Sequence, residues 1–388
     1  MSEPVRLYIV ALEPSGDVLG AGLIDALQQE TGVGVEVLGV GGPQMQAAGL
    51  TSLFDPSDLA ILGIFEVLPK AGLVLRRVRE VLGDIDRTQP DVLVTIDSWG
   101  FTGRVHKALA KRGSPIKRVR YVAPQVWAWR AGRAKQLARW IDHILTLFPF
   151  EPPLFEKHGL RATWVGHPVC EPRSGSAASQ NLRATWSIGS NEHLLAVLPG
   201  SRTSEVRALM PVFGETVRLV AERCPGLHIG IATVPNVEAE VTAWAQTLPV
   251  PVKVVTTSDA RSALFAAADS AIAASGTVTL ELATAGVPHV VAYRVNPVSA
   301  FLFKRIATTN YVNLINVLSD DDIVPECLQD RCRPDVLARE LSSLMVDSAA
   351  RTRQRTAFAR AVAQLVPDGE APSVRAARAV LQIATDHL

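Results

Sequence analysis

The sequence predicts an α/β protein of two Rossmann-like, doubly wound domains facing a central cleft, and three observations carry that expectation. Short apolar runs alternate with stretches of helical period through the first half; a segment rich in Pro, Ser, Gly and Ala breaks the pattern near residue 170; the alternation then starts again. Such alternation sets parallel strands beside crossover helices on both faces of a sheet. With 388 residues, 48% of them hydrophobic, the chain is too long for one ordinary core and can fill two.

Taken in order, residues 7–11, 35–40, 92–96, 119–122 and 144–148 read as buried strands, and Leu19, Leu23, Ile24 and Leu27 recur at helical spacing after the first. A last strand-like run at 163–165 precedes "PVCEPRSGSAASQN", 168–181, which has no period and reads as the linker. The expected division is therefore 1–170 and 171–388. The second series runs through 194–198, 228–232, 252–255, 270–273 and 289–292. After Pro334 the pattern is helical, with Leu337, Leu341 and Leu344 on one face and Val362, Val374 and Ile383 in later turns; this tail is expected to pack back across one domain. Open α/β sheets bind ligands outside the carboxyl ends of their strands, so the chemistry belongs in those loops.

Charged residues interrupt every apolar span before the ~20 residues a bilayer crossing needs. The amino terminus leads straight into a strand, without the apolar core of a secretory signal, so a cytoplasmic protein is expected. The four cysteines, Cys170, Cys224, Cys327 and Cys332, show neither zinc-site spacing nor a Cys-x-x-Cys, so no metal is expected. The net charge of +1 hides an uneven distribution: residues 70–139 hold 16 Lys and Arg against 5 Asp and Glu, a net +11, while 1–69 carry −8. A stretch like this suits a nucleic acid, an anionic membrane or a phosphorylated substrate, or is a set of solvated helix faces.

Six motifs can carry chemistry. In "ALEPSGD", Ser15, Gly16 and Asp17 make a strand-to-helix turn whose N–H groups can face an anion, or simply cap a helix. Asp97 ends the strand "DVLVTID" at the lip of the cleft, where a general base would take a proton from a sugar hydroxyl; capping the next helix or pairing with an arginine is the alternative. "YVAPQVWAWRAGR" joins the indoles of Trp127 and Trp129, suited to sugar rings or acyl stems but also ordinary core material, to Arg130 and Arg133, suited to phosphate. "LPGSRTSEV" puts Gly200, Ser201 and Arg202 between a strand and a helix, as a diphosphate-binding turn requires. "ASGTVTLELATAG" places Ser275, Gly276 and Thr277 at a helix start, with Glu281 one turn on to accept ribose hydroxyls; either element alone is also what a capped helix looks like, and the two in one domain favour the binding reading. Finally, Ile61, Leu62, Ile64, Phe65 and Leu68 precede Arg76 and Arg77, the pattern of helices in a lipid interface or of a core-facing amphipathic helix.

In order and spacing, "EPSGD", "GVGGPQM", "GIFEVLP", "VAPQVWAWR", "VGHPV", "LPGSR", "SGTVTLELA", "YRVNP", "NYVNLINVL" and "ECLQDRC" resemble the lipid-A-disaccharide synthases along nearly the whole chain. The resemblance implies the GT-B fold, with acceptor in the first domain and UDP-sugar donor in the second. It also implies a metal-independent, inverting transfer from UDP-2,3-diacylglucosamine to 2,3-diacylglucosamine 1-phosphate at the cytoplasmic face of the inner membrane. On this basis Asp97 is the base; Gly200, Ser201, Arg202, Ser275, Gly276 and Thr277 hold the diphosphate; Glu281 holds the ribose; Asn316 lies near the nucleotide. Glu13, Ser15, Gly16, Asp17, Trp127 and Arg130 face the acceptor sugars, and the apolar and basic stretch meets an anionic bilayer. No cofactor and no nucleic acid are implied, and the resemblance leaves a homodimer open.

The chain departs from the family at Leu12, where Gly is usual, and at Trp99 and Gly100, where Pro and Asp are usual, which bears on the acceptor pocket. The rival readings are a muramyl-precursor glycosyltransferase, a UDP-N-acetylglucosamine 2-epimerase, or a non-catalytic binder of anionic lipid or nucleotide. The apolar-basic stretch argues against the first two, and Asp97 together with Arg202 and Glu281 against the third.

Overall fold

The computed structural model describes residues 4–30, 34–60, 71–128, 132–171, 182–294 and 309–385. The chain separates into two compact units, one running to Glu171 and resuming at Leu365, the other from Pro172 to Gln364. No helix among the described residues is long and apolar enough to cross a membrane.

The first unit is built on seven parallel strands, β1 (Val5–Ala11), β2 (Val35–Val40), β3 (Thr51–Ser52), β4 (Val92–Ile96), β5 (Lys117–Tyr121), β6 (His143–Thr146) and β7 (Arg161–Trp164), in the order β3-β2-β1-β4-β5-β6-β7. Helices cover both faces, so the central strands are apolar without alternation: every residue of β4 is buried. The order reverses between β1 and β4, which opens a crevice at their carboxyl ends. The edge strand β3 has two residues, too few to produce a period in the sequence. The run expected at 119–122 stops at Tyr121 because Val122 has left-handed backbone, φ 75°.

The second unit repeats the plan with β8 (His193–Leu198), β9 (Leu227–Ala232), β10 (Val252–Val255), β11 (Ser270–Ala274), β12 (His289–Tyr293) and β13 (Glu326–Leu328), in the order β10-β9-β8-β11-β12-β13. The switch falls between β8 and β11. Helix Thr203–Arg223 buries Val206, Leu209, Phe213 and Val217 on one face of the sheet, beside Leu337 and Leu341 of helix Pro334–Val346. Leu264 and Phe265 of helix Ser258–Ala267 fill the other face.

The tail divides differently from the expected 171–388 domain. Helix Pro334–Val346 stays with the second unit, but helix Pro372–Thr385 belongs to the first, where it packs on helix Pro14–Glu30 and buries Ala376, Ala377, Val380 and Ile383. The small alanines let the two backbones approach, and the Ser373 amide donates to the Glu171 carboxylate at 2.6 Å to fix the entry. Helical period shows that such a helix has an apolar face, not which surface receives it.

Candidate functional site

At the switch point of the first sheet, the chain leaves β1 through Glu13 and β4 through Asp97 and Ser98. The Ser98 hydroxyl donates to the Glu13 carboxylate at 3.1 Å, joining the two loops. Asp97 and Ser98 are both left-handed, at φ 52° and 43°, a conformation that costs a non-glycine residue about 1–3 kcal/mol. This sharp turn starts helix Trp99–Lys111 and leaves the Asp97 side chain 46% exposed. Asp97 does not cap that helix; Ser98 occupies the cap position.

Behind it lies Arg120, 2% exposed, the largest fully buried side chain among the described residues. Its Nη1 donates to the Asp97 carbonyl at 3.3 Å and its Nε to the Val122 carbonyl at 3.0 Å, while Nη2 stands 3.8 Å from Asp97 Oδ1. The guanidinium carbon lies 5.0 Å from the Trp99 ring centroid, and that ring stacks on Trp140 and His106. Trp99, where the family usually has Pro, thus supports Arg120, and Gly103 makes the room: a Cβ there would come within 2.8 Å of the indole. Burial pulls the Arg120 pKa down to about 10, against the opposing pull of Asp97. Burial also holds His106 near 3, neutral, with the Thr95 hydroxyl 2.7 Å from its Nε2. The sequence reading missed Arg120, although a cation inside a run read as a buried strand was the available signal.

The other first-unit candidates divide. Ser15 is exposed beside Glu13, and buried Gly16 packs near Ala11 and Ile96. Asp17 is turned inward, 6% exposed, its two oxygens accepting from the Gln44 and Met45 amides at 2.9 and 3.0 Å. The expectation that it faces the sugars is corrected: it caps the neighbouring glycine loop, where a Cβ on Gly42 would strike it at 2.6 Å. Trp127 is half-buried, edge-on to Phe148 and Phe150; next to Phe150 in the chain, Glu151 accepts from the Leu147 and Phe148 amides, and burial raises its pKa to about 7. Arg77 is likewise turned inward, its guanidinium 4.3 Å over the Phe54 ring and bonded to Glu80 at 2.8 Å, so it is not an open membrane contact. Arg76 is 63% exposed, next to exposed Leu75. Arg130, Ile61, Leu62, Ile64, Phe65 and Leu68 lie outside the described residues.

In the second unit a pocket of about 220 Å³ opens at the β8/β11 switch point, lined by Gly200, Ser201, Ser275, Gly276 and Thr277 with Glu205, Thr233, Val234 and Arg261. The two predicted turns therefore do meet. Gly200 has φ 115°, and Asn236 donates to the Ser201 carbonyl at 2.9 Å, which holds the turn. Arg202 occupies the cap position of helix Thr203–Arg223, with its guanidinium 75% exposed and 2.7 Å from Glu205. Glu281 is largely buried, and its carboxylate stands 3.3 Å from Arg261. Two groups missed from sequence reach this pocket: Arg261 and Thr233, whose buried hydroxyl has no partner among the described residues.

Asn316 turns its amide into the fold. It is fully buried, its Nδ2 donating to the Val324 carbonyl and to Glu326, its Oδ1 accepting from the Ile323 and Val324 amides, all at 2.9–3.1 Å. Every amide hydrogen-bonding position is used to hold the loop before β13. No cluster of three or more His, Cys, Asp or Glu suited to a metal ion occurs among the described residues.

Two Rossmann-type sheets in one chain, each with a crevice at its switch point, define the GT-B fold class. Solved structures agree on that fold. The S. aureus MnaA–UDP co-structure superposes with a TM-score of 0.67 at 10% identity, covering 99% of this chain and 98% of that one. Acinetobacter baumannii MurG gives 0.58 at 15% identity, covering 98% and 100%.

Sequence relationship narrows the class. The pattern of the family described as lipid-A-disaccharide synthetase matches residues 7–379. The lipid-A-disaccharide synthase of Paramagnetospirillum magneticum is 47% identical over 97% of this chain and 96% of its own length, and that of Rhodospirillum centenum 43% over 99% and 96%. The chain belongs to the lipid-A-disaccharide synthase family and is a glycosyltransferase of lipid A biosynthesis. MurG and the epimerases, the rival readings, are related to it at the level of fold.

Proposed function

We propose that the chain transfers the sugar of UDP-2,3-diacylglucosamine to the 6-hydroxyl of 2,3-diacylglucosamine 1-phosphate, forming a β-1,6-linked disaccharide 1-phosphate and UDP. Asp97 takes the hydroxyl proton as the oxygen attacks the anomeric carbon; the carbon–oxygen bond to the diphosphate breaks, and its electron pair leaves with UDP. Attack opposite the leaving group inverts the configuration. The observation that carries this reading is the exposed carboxylate of Asp97, held in a strained turn at a ligand-binding switch point.

The developing diphosphate charge is met by the amides of the Gly200 and Ser201 turn, by Ser275, Gly276 and Thr277, and by Arg202. Glu281 takes the ribose, beside Arg261. These fixed donors do the work a divalent cation does elsewhere, so the transfer runs without metal. Glu13, Ser15 and Gly16 form the acceptor wall with Trp127 and Arg130. The enzyme draws its lipids at the cytoplasmic face of the inner membrane, where Ile61, Leu62, Ile64, Phe65 and Leu68 enter the interface and Arg76 meets anionic headgroups.

The test is UDP release from UDP-2,3-diacylglucosamine in detergent, with and without the 1-phosphate acceptor. Acceptor-dependent release that survives EDTA and is largely lost in Asp97→Asn is expected. A folded wild type without turnover would overturn the substrate assignment, full activity in Asp97→Asn would move the base elsewhere, and loss with EDTA would reverse the metal-free reading.

A further inference from the structure

We infer that Arg120 is a positioning residue for the transfer, setting the direction of the Asp97 carboxylate from behind the turn that carries it; this rests on the reading of Asp97 as the base. Three non-glycine residues around this point have left-handed backbone: Asp97 at φ 52°, Ser98 at 43° and Val122 at 75°. Val122 is β-branched, a residue type that is seldom found there without an external constraint. One side chain reaches both strained loops. Arg120 Nη1 donates to the Asp97 carbonyl and Nε to the Val122 carbonyl, so a rigid planar fork ties the end of β4 to the end of β5.

The same fork faces the carboxylate without closing on it. Nη2 stands 3.8 Å from Asp97 Oδ1, beyond hydrogen-bonding distance, so the guanidinium orients the carboxylate electrostatically while leaving its oxygens to accept a proton. The charge is also costly where it is, at 2% exposure against the face of Trp99, and a scaffold that needed only filling could use an apolar residue there. The four partners of the fork, Asp97 carbonyl, Asp97 carboxylate, Val122 carbonyl and Trp99 ring, all belong to the base-bearing turn or its neighbour.

The experiment compares Arg120→Lys, which keeps the charge and loses the fork, with Arg120→Gln, which has no charge to bury and so guards against misfolding of the first. Each is measured for kcat, acceptor KM and, by calorimetry, UDP affinity, alone and combined with Asp97→Asn. Both variants are expected to lose about 10- to 100-fold in kcat, the cost of misplacing a reacting group by about an ångström, with acceptor KM and UDP affinity within about twofold of wild type. Neither should lower the residual rate of Asp97→Asn further, because the effect passes through that carboxylate. An unchanged kcat in a folded variant, or a further full loss on the Asp97→Asn background, overturns the inference. Full activity in Asp97→Asn alone overturns the reading of the base instead, and the two failures are thus told apart.

Discussion

The Arg261 guanidinium lines the pocket of the second unit and stands 3.3 Å from the Glu281 carboxylate, which is itself mostly buried. The two sit on successive helices, Ser258–Ala267 and Val278–Thr284, joined through β11. Removing the acid leaves a half-buried cation without that counter-charge, a loss that costs more than the pair contributes. Glu281→Ala is therefore expected to raise the UDP Kd by about 10- to 100-fold in calorimetry. An unchanged Kd would take both residues out of the nucleotide site.

Asp97→Asn preserves size and removes the carboxylate proposed as the base. The expected result is a kcat lower by about 100- to 10,000-fold with the UDP Kd and thermal midpoint held, because general-base catalysis contributes on that scale and the turns proposed to hold the donor belong to the other sheet. A matching fall in UDP affinity would mean that the variant disturbs more than proton transfer.

Gly200 has a backbone that L residues rarely adopt, φ 115°, and a Cβ there would lie 3.0 Å from both Cβ and Oε2 of Glu205. Gly200→Ala should cost ~1–3 kcal/mol of stability and displace the Ser201 amide as well. The check is a weaker UDP titration at a temperature where the variant remains folded.

Asp17 separates structure from chemistry. Its carboxylate holds the Gln44 and Met45 amides, so Asp17→Ala leaves two amide donors without their acceptor and should destabilise by about 1–3 kcal/mol in urea unfolding. UDP affinity is expected to stay the same. A loss of acceptor KM with full stability would return Asp17 to the substrate site.

His289 is fully buried, stacked 5.1 Å from Phe358, with Nδ1 donating to the Val287 carbonyl. Burial lowers its pKa to about 4, so the unfolded chain binds this proton first as the pH falls. Stability is therefore intact above about pH 6.5 and declines between there and about pH 4, by on the order of 2 kcal/mol at pH 5 for this residue. Urea midpoints at pH 8 and pH 5 should differ less in His289→Phe than in wild type; equal differences would refute the assignment.

Much of the candidate site's geometry was open to reading along the chain because each motif sits directly after a strand. Gly200, Ser201 and the Ser275 turn follow β8 and β11, and strand order alone brings those ends together. The loops that carry Glu13 and Asp97 are joined at the ends of β1 and β4 in the same way, through the Ser98 hydroxyl on Glu13. The residues whose orientation spacing left open are those whose side chains turn back into the fold. Asp17 and Asn316 carry the polar groups expected of a binding residue, and spacing cannot tell a carboxylate aimed at a ligand from one aimed at a loop amide. Arg77 fails likewise, lying over Phe54 and not toward solvent.

The sequence by itself determined the two alternating α/β series, the break near residue 170 and the family, since apolar period and motif order are local properties that survive without coordinates. Tertiary structure alone decided that the last helix returns to the first unit, that Arg120 lies behind Asp97, and that Arg261 meets Glu281. Each of these depends on which surface receives a side chain after distant segments pack, and packing is decided by shape and buried charge across the sheet, quantities that no spacing along the chain encodes.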